Sequence, residues 1–339
     1  MWKCLAIIFI WRGLIGQDIQ PAEEPASYSG FKFPLTRIGG WADLMYLDSS
    51  HPGKDHYFNV PHLYLYFDTR LHTRWRTMLE FRYLNSLDRE SSDKGSITQI
   101  QRAYLEYKQG IPAKFRIGQF YTPAGLWKEK HGMMMVDSSH KPIIEDMGWV
   151  PTLSTGLQFL GKKMKGQWEW NYALFGTVKE GIDQDEGSGY GGDLNIIFNE
   201  RFRFGLFGSD YYNNMKGADH DSGQREAFMG YAEIFLVRNK LLFRTEYLRV
   251  DRGDAGTADG YYTKMKWQFH PKLFVNHRFD NADDLNVLAR HRIQTLTMGY
   301  RPLPKLRTRL EFAVHNLDQA ENARYNEWSA WVGFLFNTD

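Results

Sequence analysis

From Thr73 to Leu84 every second residue is apolar, aromatic or Thr (Trp75, Thr77, Leu79, Phe81, Tyr83), and between them lie Arg74, Arg76, Met78, Glu80 and Arg82. Successive side chains on a strand point to opposite faces, so this segment has one greasy and one charged face. The pattern recurs. Arg201 and Arg203 alternate with Phe202, Phe204 and Leu206, and Arg244 and Glu246 with Phe243, Thr245 and Tyr247. Lys264 and Lys266 oppose Tyr261, Met265, Trp267 and Phe269, while Arg309 and Glu311 oppose Leu310, Phe312 and Val314. In a soluble sheet the greasy face meets a second layer. In a membrane barrel it meets lipid, and the charged face meets a water-filled lumen.

The connections decide between these. Sixteen strand segments, from Arg37–Leu47 to Asn326–Phe336, are joined alternately by long polar loops and short turns. Long links such as Asp48–Tyr57, Asn85–Ser96 and Thr177–Gly189 take turns with short ones such as His72, Asn199-Glu200 and Arg238–Lys240. Strict long–short alternation predicts an all-β, up-and-down antiparallel transmembrane β-barrel of about 16 strands. Greek-key sandwiches have no reason to keep that order. No run of 18 apolar residues occurs, so no membrane-spanning helix is expected, whereas a barrel strand needs only about ten alternating residues. The 16% aromatic content fits aromatic girdles, and a mean hydropathy of −0.52 fits a polar lumen with polar loops.

At the N-terminus a basic start and the apolar run Leu5–Trp11 fit a signal peptide over residues 1–16. A polar, Pro-containing periplasmic leader (17–36) and a single barrel domain (37–339) follow. Cys4 is the only cysteine of the chain. The chain carries 42 basic and 40 acidic residues. Removing residues 1–16 takes away Lys3 and Arg12 and leaves 40 of each. That balance argues against nucleic acid as a partner and leaves outer-membrane lipid and small solutes.

One connection stands apart. After the fifth strand, Thr122–Leu153 runs for roughly thirty residues and is too apolar for a solvated tail. It is expected to fold into the barrel and narrow it, with Trp127, Lys128, Glu129, His131, Met134, His140 and Trp149 at the constriction. His131 and His140 share it with Glu129, Glu145 and Asp146, but a nine-residue gap is no ligand signature, so neither metal nor cofactor is expected.

The stretch QRAYLEYKQGIPAKFRIGQFYTPAGL, starting at Gln101, resembles a strand–strand–loop stretch of Gram-negative porins, most nearly the phosphate-selective O/P type and its relatives. Thr155–Phe159 (TGLQF), Asn171–Gly176 (NYALFG) and Arg278-Phe279-Asp280 are similar to the same group, and together these stretches make up 40 of the 339 residues. The resemblance implies a sixteen-stranded, often homotrimeric outer-membrane channel with a basic lumen. The chain departs from the family at Tyr121–Gly125 (YTPAG), where the family is more acidic.

Alternation places Arg74, Arg76, Arg82, Arg102, Arg116, Arg203, Arg244, Lys264, Lys266, Arg278, Arg292 and Arg309 on the lumen, with Glu80, Glu106, Glu246 and Glu311 among its acids. The basic excess predicts a passive porin for small hydrophilic solutes with a mild lean to anions. A wall of paired charges that cancel across strands is the plainer alternative. The other alternative is an outer-membrane hydrolase acting on lipid or peptide, for which Ser138, Ser139 and His140 are adjacent but no catalytic motif exists. A trimer contact would show as small or polar residues on the lipid face, for which Thr295 and Thr297 are candidates.

Overall fold

A computed structural model describes residues 34–51, 56–85, 97–108, 113–129, 137–178, 188–213, 223–253, 256–284, 289–318 and 324–337. The expected signal segment and most of the leader lie outside these residues.

Sixteen strands form: β1 (Leu35–Ser49), β2 (Tyr57–Arg70), β3 (Trp75–Asn85), β4 (Ile97–Lys108), β5 (Ala113–Tyr121), β6 (Leu153–Lys165), β7 (Trp168–Thr177), β8 (Ser188–Phe198), β9 (Phe202–Asn213), β10 (Gly223–Val237), β11 (Leu241–Asp251), β12 (Thr257–His270), β13 (Leu273–Asp284), β14 (Ala289–Leu303), β15 (Leu306–Asp318) and β16 (Arg324–Asn337). Each pairs antiparallel with its sequence neighbours, and β1 pairs β16 from Gly39↔Asn337 to Ser49↔Glu327, so the sheet closes. Closure leaves no exposed edge, which is the condition for a sheet in lipid. Two short helices, α1 (Gly125–Glu129) and α2 (Ile143–Asp146), lie between β5 and β6. Among the described residues no helix is long and apolar enough to cross a membrane.

Exposure follows the pleat. On β14, Leu296, Met298 and Tyr300 are exposed while Thr295 and Thr297 are buried. Exposed aromatics collect in two bands. Trp75, Trp168, Trp267 and Tyr300 sit by the short turns, and Phe58, Tyr190, Tyr212 and Trp328 by the long loops. Two such girdles around an apolar belt are the arrangement a bilayer selects.

Bulges set the phase. In the β3–β4 pair Glu80 faces Arg102 and Phe81 faces Ile100, so Gln101 is the extra residue. Gln101 and Arg102 are both buried, and the inward set shifts from odd to even residues there. Gly118 on β5 stays in register, opposite Tyr104 and Gly156. Its φ is +125°, and a Cβ on it would sit 2.1 Å from the Ala103 carbonyl oxygen. Beyond it both Gln119 and Phe120 are buried, just before the chain leaves the wall.

Candidate functional site

The inner wall carries the charges. On β2–β5 they are paired: Arg76 Nε lies 2.6 Å from Asp68, Arg102 Nε 2.5 Å from Glu80 and Arg116 Nε 2.7 Å from Glu106. On β10–β13 the Arg244 Nε donates to Glu233 at 2.9 Å and Arg278 Nε to Asp280 at 2.6 Å. The pairs are cross-strand on β2–β5 and between β10 and β11, and within β13 for Arg278–Asp280, so charges cancel at these positions as the plainer alternative has it.

The segment between β5 and β6 runs along this inner wall. It starts at β5 and is held by β11, β13 and β15, on the other side of the strand ring. Three wall carboxylates hold it by its backbone. Glu246 on β11 accepts from the Leu126 and Trp127 amides, both at 3.1 Å, at the start of α1. Asp280 on β13 accepts from the Ile143 amide at 3.1 Å, at the start of α2. Glu311 on β15 accepts from the Ser139 amide at 2.9 Å, the His140 amide at 3.2 Å and His140 Nδ1 at 2.6 Å. All three carboxylates are buried. A buried carboxylate without donors is costly, and amide donors are what offsets that cost. Glycine is required at position 125, because its φ is +68° and a Cβ would meet the Glu246 carboxylate at 2.1 Å.

Cations hold the same segment by its carbonyls. Arg278 NH1 donates to Ser138 Oγ at 2.9 Å and to the His140 carbonyl at 2.8 Å, and Arg278 NH2 to the Lys141 carbonyl at 3.0 Å. Arg309 NH1 donates to the Ser138 carbonyl at 2.9 Å. Among the described residues of the segment, Asp137 meets the wall cations directly. It lies 2.8 Å from Lys266 Nζ, 3.4 Å from Lys264 Nζ and 3.4 Å from Arg301 NH2. Burial would raise its pKa, but Lys266, Lys264 and Arg301 hold it well below the carboxylate range. His140 runs the other way. Burial would lower its pKa, and the hydrogen bond to Glu311 carries it above the usual imidazole value.

Apolar packing completes the attachment. Leu126, Ile143, Ile144, Trp149 and Val150 join one buried cluster with Phe207, Met229, Leu248 and Tyr262 of the wall. Each such side chain contributes about 1.5–3 kcal/mol when fully buried. Lys128 ties the two helices together, donating to the Val150 carbonyl at 2.8 Å and lying 3.4 Å from Glu145. Its burial lowers its pKa.

Most residues expected on the lumen do face inward. Arg76, Glu80, Arg82, Arg102, Glu106, Arg116, Arg203, Arg244, Glu246, Lys264, Lys266, Arg278, Arg309 and Glu311 all fall on the buried phase of their strands. Two do not. Arg74 precedes β3, in the turn after β2, and is exposed. Arg292 shares the outer phase of Leu296 and Met298, and pairs with Asp318 at 2.5 Å near the long-loop end. Its strand was read from its charge, while the apolar trio at 296, 298 and 300 fixes the opposite phase. By the same correction Thr295 and Thr297 point inward. Thr297 Oγ1 donates to Glu311 at 2.7 Å, so these threonines mark no lipid-facing contact. Arg201 is a turn residue whose guanidinium donates to the Phe235 and Leu236 carbonyls.

Of the expected constriction residues, Trp127, Lys128 and Trp149 are buried and His140 is half-buried. Glu129 ends α1, and His131 and Met134 lie outside the described residues. Asp137, Arg301 and Asn276, whose Nδ2 donates to the Asp137 carbonyl at 2.6 Å, were not singled out from sequence. Arg301 was legible, because it continues the inward phase of Thr295 and Thr297. Asp137 was not, since a loop has no period. The adjacent Ser138 and His140 do not form a nucleophile–base pair: the Ser138 hydroxyl donates to the His140 carbonyl at 3.2 Å, and the His140 ring is held by Glu311.

No protein-family model matches the chain, and no curated protein matches it in sequence. Solved structures do match. An anion-selective porin from Comamonas acidovorans superposes with a TM-score of 0.68 at 11% identity, covering 90% of this chain and 100% of that one. The trimer form of in-vitro folded OmpT, an outer membrane protein of Vibrio cholerae, gives 0.64 at 10% identity, with 90% and 100% covered. The outer membrane channel DcaP of Acinetobacter baumannii gives 0.61 at 12% identity, with 91% and 99% covered. At these identities the likeness is one of fold, a closed sixteen-strand antiparallel β-barrel.

Proposed function

We propose that the chain is an outer-membrane porin of a Gram-negative bacterium, a passive diffusion channel for small hydrophilic solutes with a mild preference for anions. One observation carries the reading: a closed sixteen-strand wall, apolar outside and charged inside, has a long loop fixed across its interior. A soluble protein has no use for an outward apolar belt between aromatic girdles. Selectivity in this reading comes from lumen width, the infolded segment and the net sign of the wall. The resemblance of Gln101–Leu126 to phosphate-selective porins and the fold shared with an anion-selective porin support the anion lean. Assembly as a homotrimer belongs to the same proposal, and chemical cross-linking of the folded protein tests it.

The hydrolase reading needs a hydroxyl aimed at a base, and the hydrogen bonds of Ser138 and His140 direct both elsewhere. Single-channel current of the refolded chain in a planar bilayer across a KCl gradient separates the readings. Stable steps with a chloride-directed reversal potential are expected. Cation-directed steps would refute the anion lean, and a folded barrel without steps would refute the porin.

A further inference from the structure

The outer face of the barrel differs between its two ends. At the long-loop end the arginines of β14 are paired: Arg292 lies 2.5 Å from Asp318, and Arg290 lies 3.1 Å from Asp283 and 3.3 Å from Asp259. At the short-turn end of β6 two lysines stand without acids. The strand closes on Lys162-Lys163-Met164-Lys165, and the turn Gly166-Gln167 leads into β7. Lys162 belongs to the inner phase and meets Glu169 at 2.9 Å. Lys163 and Lys165 share the phase of Leu157, which is exposed on the lipid face, so their side chains leave the wall outward. Among the described residues neither has an ion-pair partner. Their neighbours are aromatic instead. The register sets Lys165 opposite Trp168 and Lys163 opposite Trp170. Trp168 continues opposite Phe198, with ring centres 4.5 Å apart, and it stacks on Trp170 at 6.2 Å. Partners across an antiparallel ladder point to one face, so each of these outward apolar rows ends in a lysine.

We propose that Lys163 and Lys165, with the Trp168–Trp170 plate, form a binding site for one anionic phospholipid of the leaflet on the short-turn side. The lipid phosphate meets the two ammonium groups, and the acyl chains lie along the apolar rows. Tryptophan rings settle at headgroup level in a bilayer, so lysines paired with them in the ladder stand at phosphate depth. Two ammonium groups with no acid between them suit a headgroup of net negative charge. A zwitterionic headgroup brings its own amine, which competes for the phosphate. A second copy of the chain fits less well. Copies arranged around the membrane normal meet at like levels, and at this level the turn acid Glu200 is already paired with Arg238 at 3.1 Å. The inference rests on the reading of the barrel as membrane-embedded, and it does not require conduction.

The test is native mass spectrometry of the full refolded chain, extracted from vesicles of equal parts phosphatidylcholine and phosphatidylglycerol. Wild type is compared with Lys163→Gln plus Lys165→Gln. A charge-matched control, Lys272→Gln plus Lys305→Gln, removes two exposed lysines from other short turns. Heat-modifiable gel migration establishes folding of each. A lysine near an anionic surface contributes roughly a fivefold preference, so the pair gives about 25-fold. Wild type and control are expected to retain phosphatidylglycerol over phosphatidylcholine by that factor, and the Lys163 and Lys165 variant to hold both nearly equally. Wild type without preference, a preference that survives in that variant, or an equal loss in the control would overturn the proposal. So would disulfide formation between copies through Gln167→Cys in a Cys4→Ser background, which would put a second copy on the patch. A folded chain that carries neither lipid fails the membrane-embedded reading and the inference with it, whereas one that carries both without preference fails the inference alone.

Discussion

Glu311 offers the sharpest perturbation, because one carboxylate holds a loop segment 171 residues away in sequence. Its Oε1 accepts from the His140 amide and ring, and its Oε2 from the Ser139 amide and Thr297. Glu311→Gln keeps the shape but turns one of those oxygens into an NH2 group. Whichever oxygen is lost, one backbone amide then faces another donor, while its companion, the Thr297 hydroxyl or the His140 ring, can turn to accept. A hydrogen bond to a charged acceptor contributes about 1.5–3 kcal/mol, and the remaining bonds now meet a neutral acceptor, so the total is roughly 3 kcal/mol. Local attachment of residues 138–140 should weaken by about a hundredfold. The barrel itself should stand, because closure depends on the backbone ladder from β1 to β16. A thiol reports the change. Cys4 is the only native cysteine and is removed by Cys4→Ser. Ser139 is 5% exposed and its hydroxyl has no hydrogen-bond partner, so Ser139→Cys gives up no bond. In that background the label should react slowly, and Glu311→Gln should accelerate it by about two orders of magnitude through local opening. A rate within about threefold of the parent, in a barrel that still migrates as folded, would refute the carboxylate-latch argument.

Other consequences follow from the same geometry. Arg292 lies on the outer face, so Arg292→Gln should leave the KCl reversal potential unchanged while Arg309→Gln shifts it toward cations; equal shifts would contradict the face assignment. Asn199 and Glu200 hold the β8–β9 turn at φ of 51° and 55°, which costs a non-glycine residue about 1–2 kcal/mol. Glu200→Gly should therefore raise the thermal unfolding midpoint, because the exposed Arg238–Glu200 pair it removes contributes little. Gly118→Ala places a methyl 2.1 Å from the Ala103 carbonyl at a φ of +125°, and should reduce the folded fraction in refolding gels. For pH, the proton on His140 favours the attached loop, so attachment is strongest below the ordinary imidazole pKa and fades as pH rises through the raised value. Asp137 contributes above the ordinary carboxylate pKa and is lost only in strong acid. Labelling at Ser139→Cys, taken as a ratio to a free thiol at the same pH, should stay flat below the ordinary imidazole pKa and rise as pH climbs above it.

The sixteen strands were legible because lipid outside and water inside impose a strict period of two, and the turns impose a strict order of lengths. Displacements were small: β1 begins at Leu35 rather than Arg37, and β3 at Trp75 rather than Thr73. The apolar content of the segment after β5 was legible, and Trp127 and Trp149 are buried. Its attachment points were not. Glu246, Asp280 and Glu311 meet backbone amides 120, 137 and 171 residues away, and a backbone amide carries no sequence signal. The errors at Arg292, Thr295 and Thr297 share one cause. Charge was used to set the phase of β14, where the outward Leu296, Met298 and Tyr300 set it unambiguously. Bulges are the other blind spot, since the extra residue at Gln101 reverses the phase of β4 without any mark in composition.

Why a chain with 42 basic and 40 acidic residues should discriminate by charge is answered by where its charges cancel. Along β2–β5 Arg76, Arg102 and Arg116 each have an acid on a neighbouring strand. That part of the wall presents dipoles to a passing ion, and their fields fall off quickly. Along β11–β15 the acids Glu246, Asp280 and Glu311 accept from the loop backbone, so much of their charge is spent inside the attachment. Lys264, Lys266 and Arg301 meet Asp137 of the loop, and Arg309 donates to the Ser138 carbonyl. The loop therefore does two things at once. It occupies the acids that would balance this side of the wall, and it supplies one carboxylate in return. Under the porin reading, anion preference is then a local property of the loop-bearing side, and it should change with attachment of the loop more than with substitutions on β2–β5. Glu80→Gln, in the paired rows, tests this against Glu311→Gln: a larger shift in reversal potential from the first than from the second would place selectivity in the paired rows instead.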